Sequence, residues 1–269
     1  MKGKSFAFAL PLAMSLAFAA YAPVSTAAQK TAIVVGADTT FPPFETEKNG
    51  KVTGFDIDLI REIAKAEGLT TSIKTMPFNG LIPSLQAGSI DAAVAGITIK
   101  TSRMQNVDFS DAYYKSGLSV LVKADSKINS FADLKGHVVA TKKATSSVDY
   151  MTSHGIDLGH VKQFQNIDSA YQALMTGGAD AVVFDNPVNV NFKTSHPKDV
   201  KVVGDLLTGE YYGIAITKKE PWLAEKLNAG LAKIRKNGEY KKLFAKYFGG
   251  DVSGAVNEAV SPASVAVKD

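Results

Sequence analysis

The sequence predicts an α/β protein of two lobes joined by two hinge strands. Short apolar runs rich in β-branched residues alternate with longer amphipathic stretches from Thr31 onward, a pattern typical of parallel βαβ units. The alternation comes as two sets, and a strand-like run after the second set leads back to the first. Because such a chain crosses twice between its lobes, it leaves a cleft, and clefts between domains are preferred sites for small ligands.

The first set opens with a buried strand at 32–36, which ends in a loop over 37–44. A helix is predicted over 54–68, with Asp56 or Asp58 as its N-cap. The other predicted elements of this set are a strand at 71–76, a helix at 81–87 and a strand at 91–97.

The second set predicts strands at 138–141 and 179–184 and helices at 147–153 and 169–176, the last capped by Asp168. A strand at 211–216 returns to the first lobe, and 221–248 predicts two helices interrupted at Asn237. The predicted division is a first lobe over 29–112 and 214–250, a second lobe over 119–207, hinges at 113–118 and 208–213, and a frayed, dispensable, flexible tail at 251–269.

Residues 1–28 have the order of a secretory signal peptide. Lys2 and Lys4 precede an apolar run over 6–22, and small residues follow up to Ala28. Cleavage is expected after Ala28, with Ala27 as the alternative. A transmembrane anchor is disfavoured because the run is short for a bilayer span and contains Pro11.

Composition excludes several classes of function. Removing residues 1–28 removes two lysines and no acids, so the net charge falls from +4 to +2, which gives no electrostatic footprint for nucleic acid. The chain has no cysteine, hence no disulfide and no lipid anchor at the cleavage site. The four histidines are scattered without metal-ligand spacing, so neither a metal nor a cofactor is expected. A monomer exported to the periplasm is the expected form.

Motifs of the common catalytic classes are absent: there is no dinucleotide fingerprint, no phosphate loop and no nucleophile elbow. Polar residues at strand ends are candidates for binding instead. Arg103 near a helix start suits a carboxylate, or else it only solvates that helix end. Asp185 after a strand could accept from an ammonium group, or cap the next helix. Phe41 and Phe78 follow strands, and they form either pocket walls or core.

Ten segments together resemble the periplasmic amino-acid-binding proteins of ABC importers, the bacterial extracellular solute-binding proteins of family 3, and most nearly the glutamine-binding members. The first three read ADTTFPPFE at 37–45, GFDIDL at 54–59 and FNGLIP at 78–83. The others are 95–98 with Arg103, 108–111, 114–117, 147–150, 166–168, 179–181 and 212–215. The resemblance covers about 31–249 and implies a two-lobed periplasmic-binding-protein fold of type II, without enzymatic activity.

The resemblance also implies roles for single residues. Arg103 and Thr98 would bind the α-carboxylate of an amino acid, while Asp185 and the Gly96 carbonyl would bind its α-ammonium group. Phe41 and Phe78 would enclose the side chain, Asp38 would accept from a terminal amide, and Lys142 would donate to it. The implied ligand-binding set is Asp38, Phe41, Phe78, Ala95, Gly96, Thr98, Arg103, Lys142, Ser146, Phe184 and Asp185.

Two positions depart from the glutamine-binding pattern: Ser146 replaces a glycine and Phe184 replaces a histidine. The expected ligand is glutamine, delivered to the permease of an importer. The alternatives are a basic amino acid or an opine, a cyclohexadienyl dehydratase-like enzyme with Glu45 or Asp38 as general acid, and a soluble partner that presents its ligand to a sensor.

Overall fold

The computed structural model describes residues 1, 3, 30–156 and 160–268, so nearly all of the predicted signal peptide lies outside the described residues. The described residues from Thr31 onward belong to one compact unit, Thr31–Asp269. No helix within the described ranges has both the length and the apolarity to cross a membrane.

The first lobe is built on a five-stranded mixed sheet in the order β5-β1-β6-β15-β7. Its strands are β1 (Ala32–Ala37), β5 (Thr70–Thr75), β6 (Ala92–Val94), β7 (Asp108–Phe109) and β15 (Ala215–Ile216). The central β1 is parallel to β5 and β6, as the alternating pattern predicts. The returning β15 is antiparallel to β6 and β7, so the end of the chain completes the first lobe.

A second five-stranded sheet has the order β11-β10-β12-β9-β13. Its strands are β9 (Leu118–Lys123), β10 (Val139–Lys142), β11 (Val161–Phe164), β12 (Ala181–Asp185) and β13 (Val200–Val203). Two strands, β8 (Tyr114–Ser116) and β14 (Glu210–Tyr212), pair antiparallel where the chain crosses between the sheets. Both crossings lie inside the segments predicted as hinges.

A three-stranded sheet is formed by β2 (Thr40–Phe41), β3 (Glu45–Lys48) and β4 (Lys51–Thr53), and only β2 lies in the segment 37–44 that was predicted as a loop. The helices are α1 (Phe55–Ala66), α2 (Phe78–Ala87), α3 (Thr101–Met104), α4 (Ser146–Ser153), α5 (Ile167–Met175), α6 (Asn186–Ser195), α7 (Pro221–Lys236), α8 (Glu239–Phe248) and α9 (Pro262–Val265), with a 3₁₀ turn at Phe131–Leu134.

The predicted helix caps are wrong in both cases. Gly54 is the N-cap of α1, with φ of 138°, and a Cβ there would lie 2.0 Å from the carbonyl oxygen of Phe44. Asp56 is buried inside the first turn instead. At α5 the side chain of Asn166 accepts from the Ser169 N–H, which leaves Asp168 beyond the cap.

The last residues contact the first lobe, in contrast to the frayed end that their lack of periodicity suggested. Val267 exchanges backbone hydrogen bonds of 3.0 Å with Ile99 and Thr101. The Ala112 N–H donates to Val260 at 2.9 Å, in front of the first hinge strand. The backbone of this segment is therefore held by partners that lie far away in the sequence.

Aromatic rings pack around the hinge. Tyr114 of β8 stacks on Tyr212 of β14, with ring centroids 5.5 Å apart, and also on Phe244 of α8 at 5.7 Å. Phe44 meets the edges of both tyrosines. Because large buried rings contribute much of a core's packing energy, this cluster fixes the hinge strands beside the cleft.

Candidate functional site

A narrow cavity lies between the two lobes. Ten of the eleven predicted ligand-binding residues line it, and Thr145 is added to them: the lining is Phe41, Phe78, Ala95, Gly96, Thr98, Arg103, Lys142, Thr145, Ser146, Phe184 and Asp185. Aromatic walls with a few convergent polar and charged groups are typical of a site for a small molecule.

Asp38 lies just behind the cavity and contacts it through Lys142. The Asp38 carboxylate and the Lys142 ammonium are 2.8 Å apart, and their side chains are 5% and 2% exposed. Burial alone would raise the pKa of Asp38, but the charge of Lys142 and hydrogen bonds from Lys142 and Thr40 outweigh it and lower this pKa. The pair joins the lobes, because Asp38 follows β1 and Lys142 ends β10.

Apolar walls enclose the same space. The Phe41 ring meets Phe184 of the other lobe edge to face at 5.8 Å, and Phe78 lies beneath the Lys142 ammonium at 5.5 Å. Gly96, with φ of 53°, leaves room for Phe41, since a Cβ there would come within 2.2 Å of its ring. The backbone of Gly96 therefore reaches the cavity directly.

Arg103 lies in the short helix α3, with its guanidinium 5.4 Å from the centroid of Phe78. One nitrogen donates to the carbonyl of Thr98 at 2.8 Å. The other donates to the carbonyl of Ala144 in the second lobe at 3.1 Å. These hydrogen bonds hold the planar guanidinium at the wall of the cavity, where it is suited to bind a carboxylate of the ligand.

Asp185 occupies the N-cap position of α6, but its side chain caps nothing. Instead it accepts from the Tyr212 hydroxyl at 2.5 Å, and that hydroxyl in turn accepts from Ser116. Burial first, and then the charge of Glu210, raise the pKa of Asp185 to about 7, although Arg103 and Tyr212 act in the opposite direction. Such a carboxylate gains a partner when a cationic ligand arrives.

Sequence reasoning missed Thr145 and Glu210. Thr145 borders Ser146, where the departure from the family pattern already pointed to this turn. Glu210 is 1% exposed and accepts hydroxyl hydrogen bonds from Thr98 and Ser146, which both line the cavity. An acidic residue at the start of the predicted hinge strand was the available signal.

Contacts outside the cavity also hold the lobes together. The ammonium group of Lys100 and the carboxylate of Asp149 are 2.5 Å apart, across the cleft mouth. The amide of Gln165 donates to Asn79 at 2.8 Å. Together with the Asp38–Lys142 pair, these contacts define a closed arrangement of the lobes.

Another buried carboxyl group, Glu45, lies in the first lobe but does not line the cavity. Burial, and then the charge of Asp56, raise its pKa well above the ordinary value. Asp56 accepts from the Tyr113 hydroxyl and the Gly96 N–H, while neither Glu45 oxygen has a donor among the described residues outside this pair. Because Glu45 does not line the cavity, it is not placed to act as a general acid on a ligand there.

The described residues contain no group of three or more His, Cys, Asp or Glu side chains able to hold a metal ion. The cavity chemistry is therefore that of hydrogen bonds and charges: two cations, Arg103 and Lys142, stand among the carboxylates of Asp38, Asp185 and Glu210.

Comparison with known proteins places this arrangement in context. The model of the bacterial extracellular solute-binding proteins, family 3, matches residues 33–250. A probable histidine-binding protein of Neisseria gonorrhoeae is 36% identical over 80% of this chain and 82% of its own length. An ABC transporter glutamine-binding protein of Bacillus subtilis (strain 168) is 35% identical over 79% of each chain.

Among solved structures, an ancestral arginine-binding protein bound to arginine superposes with a TM-score of 0.78 at 42% identity, covering 82% of this chain and 99% of its own. Its two-lobed architecture matches the pair of sheets seen here. The relatives thus share one fold while their names state different amino acids.

Proposed function

The chain belongs to the bacterial extracellular solute-binding proteins of family 3, and we propose that it binds glutamine for an ABC amino-acid importer. Its relatives are named as amino-acid-binding proteins, so binding of an amino acid for such a transporter is the function common to them. The choice of glutamine rests on the side chains of this cavity.

The observation that carries the choice is the buried Asp38–Lys142 pair, with 2.8 Å between its charged groups. A terminal amide offers a carbonyl acceptor to Lys142, which lines the cavity. Its N–H₂ group would reach Asp38 behind it in place of one of the donors that this carboxylate already has, from Thr40, Phe78 or Lys142. Glutamate would bring a second negative charge beside Asp38, and arginine or lysine would bring a second positive charge beside Lys142. An unpaired buried polar group costs about 1–3 kcal/mol, or roughly 5- to 150-fold in affinity.

A basic amino acid is the second candidate, and the charge balance of the site favours it. Three carboxylates, Asp38, Asp185 and Glu210, stand against two cations, Arg103 and Lys142. A zwitterionic ligand leaves that excess negative charge, whereas a cationic ligand cancels it. A relative named for histidine and a structure of an arginine complex agree with this alternative.

Binding would work as a hinged clamp. Phe41, Phe78, Thr98 and Arg103 belong to the first lobe, while Lys142, Ser146 and Asp185 belong to the second. Because both sets reach one ligand only when the lobes are closed, the ligand shifts the population towards the closed form. The closed form would then dock as a monomer on the importer's permease, after export to the periplasm and cleavage of residues 1–28.

Isothermal titration of the purified protein with glutamine, arginine, histidine and glutamate tests the proposal. Glutamine should bind at least tenfold more tightly than the other three. Tighter binding of arginine or histidine would replace glutamine by the basic alternative. Absence of binding by all four, together with turnover of prephenate or arogenate, would establish the enzyme alternative instead.

A further inference from the structure

Glu210 holds a position that no residue role assigned above explains. It begins the hinge strand β14, opposite Ser116 of β8, and is 1% exposed. Its carboxylate is not part of the cavity lining, yet it lies directly behind two side chains that are.

Three hydroxyl groups donate to this carboxylate. Thr98 and Ser146 both donate to Oε2, at 2.8 and 2.9 Å, and Thr208 donates to Oε1 at 3.1 Å. A hydroxyl has one hydrogen and two lone pairs, so a hydroxyl that donates to Glu210 can only accept elsewhere. The ligand-facing sides of Thr98 and Ser146 are therefore acceptors.

We propose that Glu210 is a positioning residue for ligand recognition, which takes up the hydroxyl hydrogens of Thr98 and Ser146 so that both oxygens accept from the ligand's α-ammonium group. This inference rests on the proposed function, namely that the ligand is an amino acid. The two hydroxyls add to the acceptors that the resemblance implies, the Asp185 carboxylate and the Gly96 carbonyl, so that each of the three N–H bonds of an ammonium group finds an acceptor. It also corrects the role implied for Thr98, whose hydroxyl hydrogen is not available to the α-carboxylate.

The same bonds link ligand recognition to closure. Thr98 follows β6 of the first lobe, Ser146 begins α4 of the second, and Glu210 lies on the hinge between them. Both donors meet at one oxygen of Glu210 only while the lobes are together. The acceptor set is thus complete in the closed form alone.

The test measures whether Glu210 acts through the ammonium group. Wild type, Glu210→Gln and the surface control Glu62→Gln are titrated with two probe pairs: glutamine with glutaramic acid, and arginine with 5-guanidinopentanoic acid. The second member of each pair lacks the α-amine, and its weaker binding is measured by displacement. For Glu210→Gln we expect affinity for the amino acid to fall about tenfold while affinity for the desamino analogue changes less than about twofold. Glu62→Gln should change neither.

Equal losses for both members of a pair would overturn the inference, since they would mean that Glu210 only supports the fold; the proposed function would survive. If the protein binds arginine and its desamino analogue but not glutamine, the proposal that the ligand is glutamine is overturned, and the arginine pair still tests the role of Glu210. Failure of wild type to bind either amino acid would overturn both.

If circular dichroism shows that Glu210→Gln is poorly folded at 25 °C, the milder Ser146→Gly carries the test alone, and it should weaken binding of the amino acid more than binding of the desamino analogue. If Glu210→Gln is folded, the two substitutions are combined in a double-mutant cycle. We expect Ser146→Gly to weaken binding of the amino acid several-fold in wild type and hardly at all in Glu210→Gln. Additive losses, or an unimpaired Ser146→Gly protein, would contradict the inference.

Discussion

Two groups of charged residues in the cleft are neutralised in different ways. Asp38 and Lys142 satisfy each other directly, at 2.8 Å and almost fully buried. Among the described residues, Asp185 and Glu210 make no such direct ion pair, although the charge of Arg103 acts on Asp185. Hydroxyl groups hold them instead, Asp185 by Tyr212 and Glu210 by Thr98, Ser146 and Thr208. We refer to them as the Asp38–Lys142 pair and the Asp185–Glu210 cluster.

The difference indicates what each group can select. The neutral Asp38–Lys142 pair discriminates between ligand side chains by hydrogen-bond complementarity, because a charged side chain beside the pair would meet a residue of like charge. A cluster with excess negative charge attracts an ammonium group and gains most when that group arrives. The same cleft therefore combines a site for the charged part that all amino acids share with a site that tells their side chains apart.

The largest expected effect comes from removing the cation beside the cluster. Arg103→Ala deletes the group that would bind the α-carboxylate, and loss of one partner of a buried charge pair costs about 2–5 kcal/mol. Affinity for glutamine and for arginine should fall at least about 100-fold alike, as measured by titration, with an unchanged circular dichroism spectrum. Arg103→Lys keeps the charge but not the planar fork, so its affinity should lie between those of wild type and Arg103→Ala. Retained affinity in Arg103→Ala would contradict the carboxylate role.

Breaking the Asp38–Lys142 pair should change selectivity rather than binding as a whole. Lys142→Met removes the donor to the amide oxygen and leaves Asp38 without its cation. We expect glutamine to bind about 10- to 100-fold more weakly and arginine to gain relative to glutamine. A parallel loss for both ligands would show that the pair only holds the lobes together. Asp149→Asn, which weakens a contact between the lobes outside the cavity, is the matched control for that role.

Lowering the pH should weaken ligand binding at the Asp185–Glu210 cluster and leave the Asp38–Lys142 pair unchanged. The pKa of Asp185 is about 7 without ligand, and an ammonium group binds only its ionised form. Affinity should therefore fall as the pH falls through 7, by about tenfold for each unit well below it, and binding at pH 6.5 should release protons. Titrations in buffers of different ionisation enthalpy measure that release. Asp185→Asn should bind weakly at every pH, and a wild-type affinity independent of pH from 5.5 to 8 would rule out this coupling.

The smallest effect is expected from Glu45, which belongs to neither group. Its pKa is raised by burial and by Asp56, so the protonated form contributes stability that is complete at acid pH and is lost as the pH rises through the folded-state pKa. Glu45→Gln mimics the protonated form without titrating. Its melting temperature should thus match that of wild type at pH 5 and exceed it by a margin that grows to a few degrees as the pH is raised. A wild-type advantage at alkaline pH, or an altered affinity for glutamine, would contradict this assignment.

Particular elements show where sequence reasoning stopped. The strand at 32–36 and the helices on either side of Asn237 were predicted because their apolar spacing is local. The N-cap of α1 was predicted wrongly, because local rules favour an aspartate such as Asp56 as a cap. Asp56 is instead buried, with hydrogen bonds to Gly96 and Tyr113, which lie 40 and 57 residues away in the sequence. The tail at 251–268 has no periodicity at all, and backbone bonds to Ile99 and Ala112 hold it.

By itself, the sequence determined the α/β class and the strand–helix alternation, because these depend on local periodicity. The predicted set of cleft residues came from the resemblance to a family, carried by the order and spacing of ten segments along the chain. Only the tertiary structure decided that Asp38 neutralises Lys142, that Tyr212 binds Asp185, and that Glu210 takes the hydroxyl hydrogens of Thr98 and Ser146. The physical reason is distance along the chain: charges and hydroxyls separated by 27 to 112 residues interact only once two lobes and a hinge bring them within 3 Å.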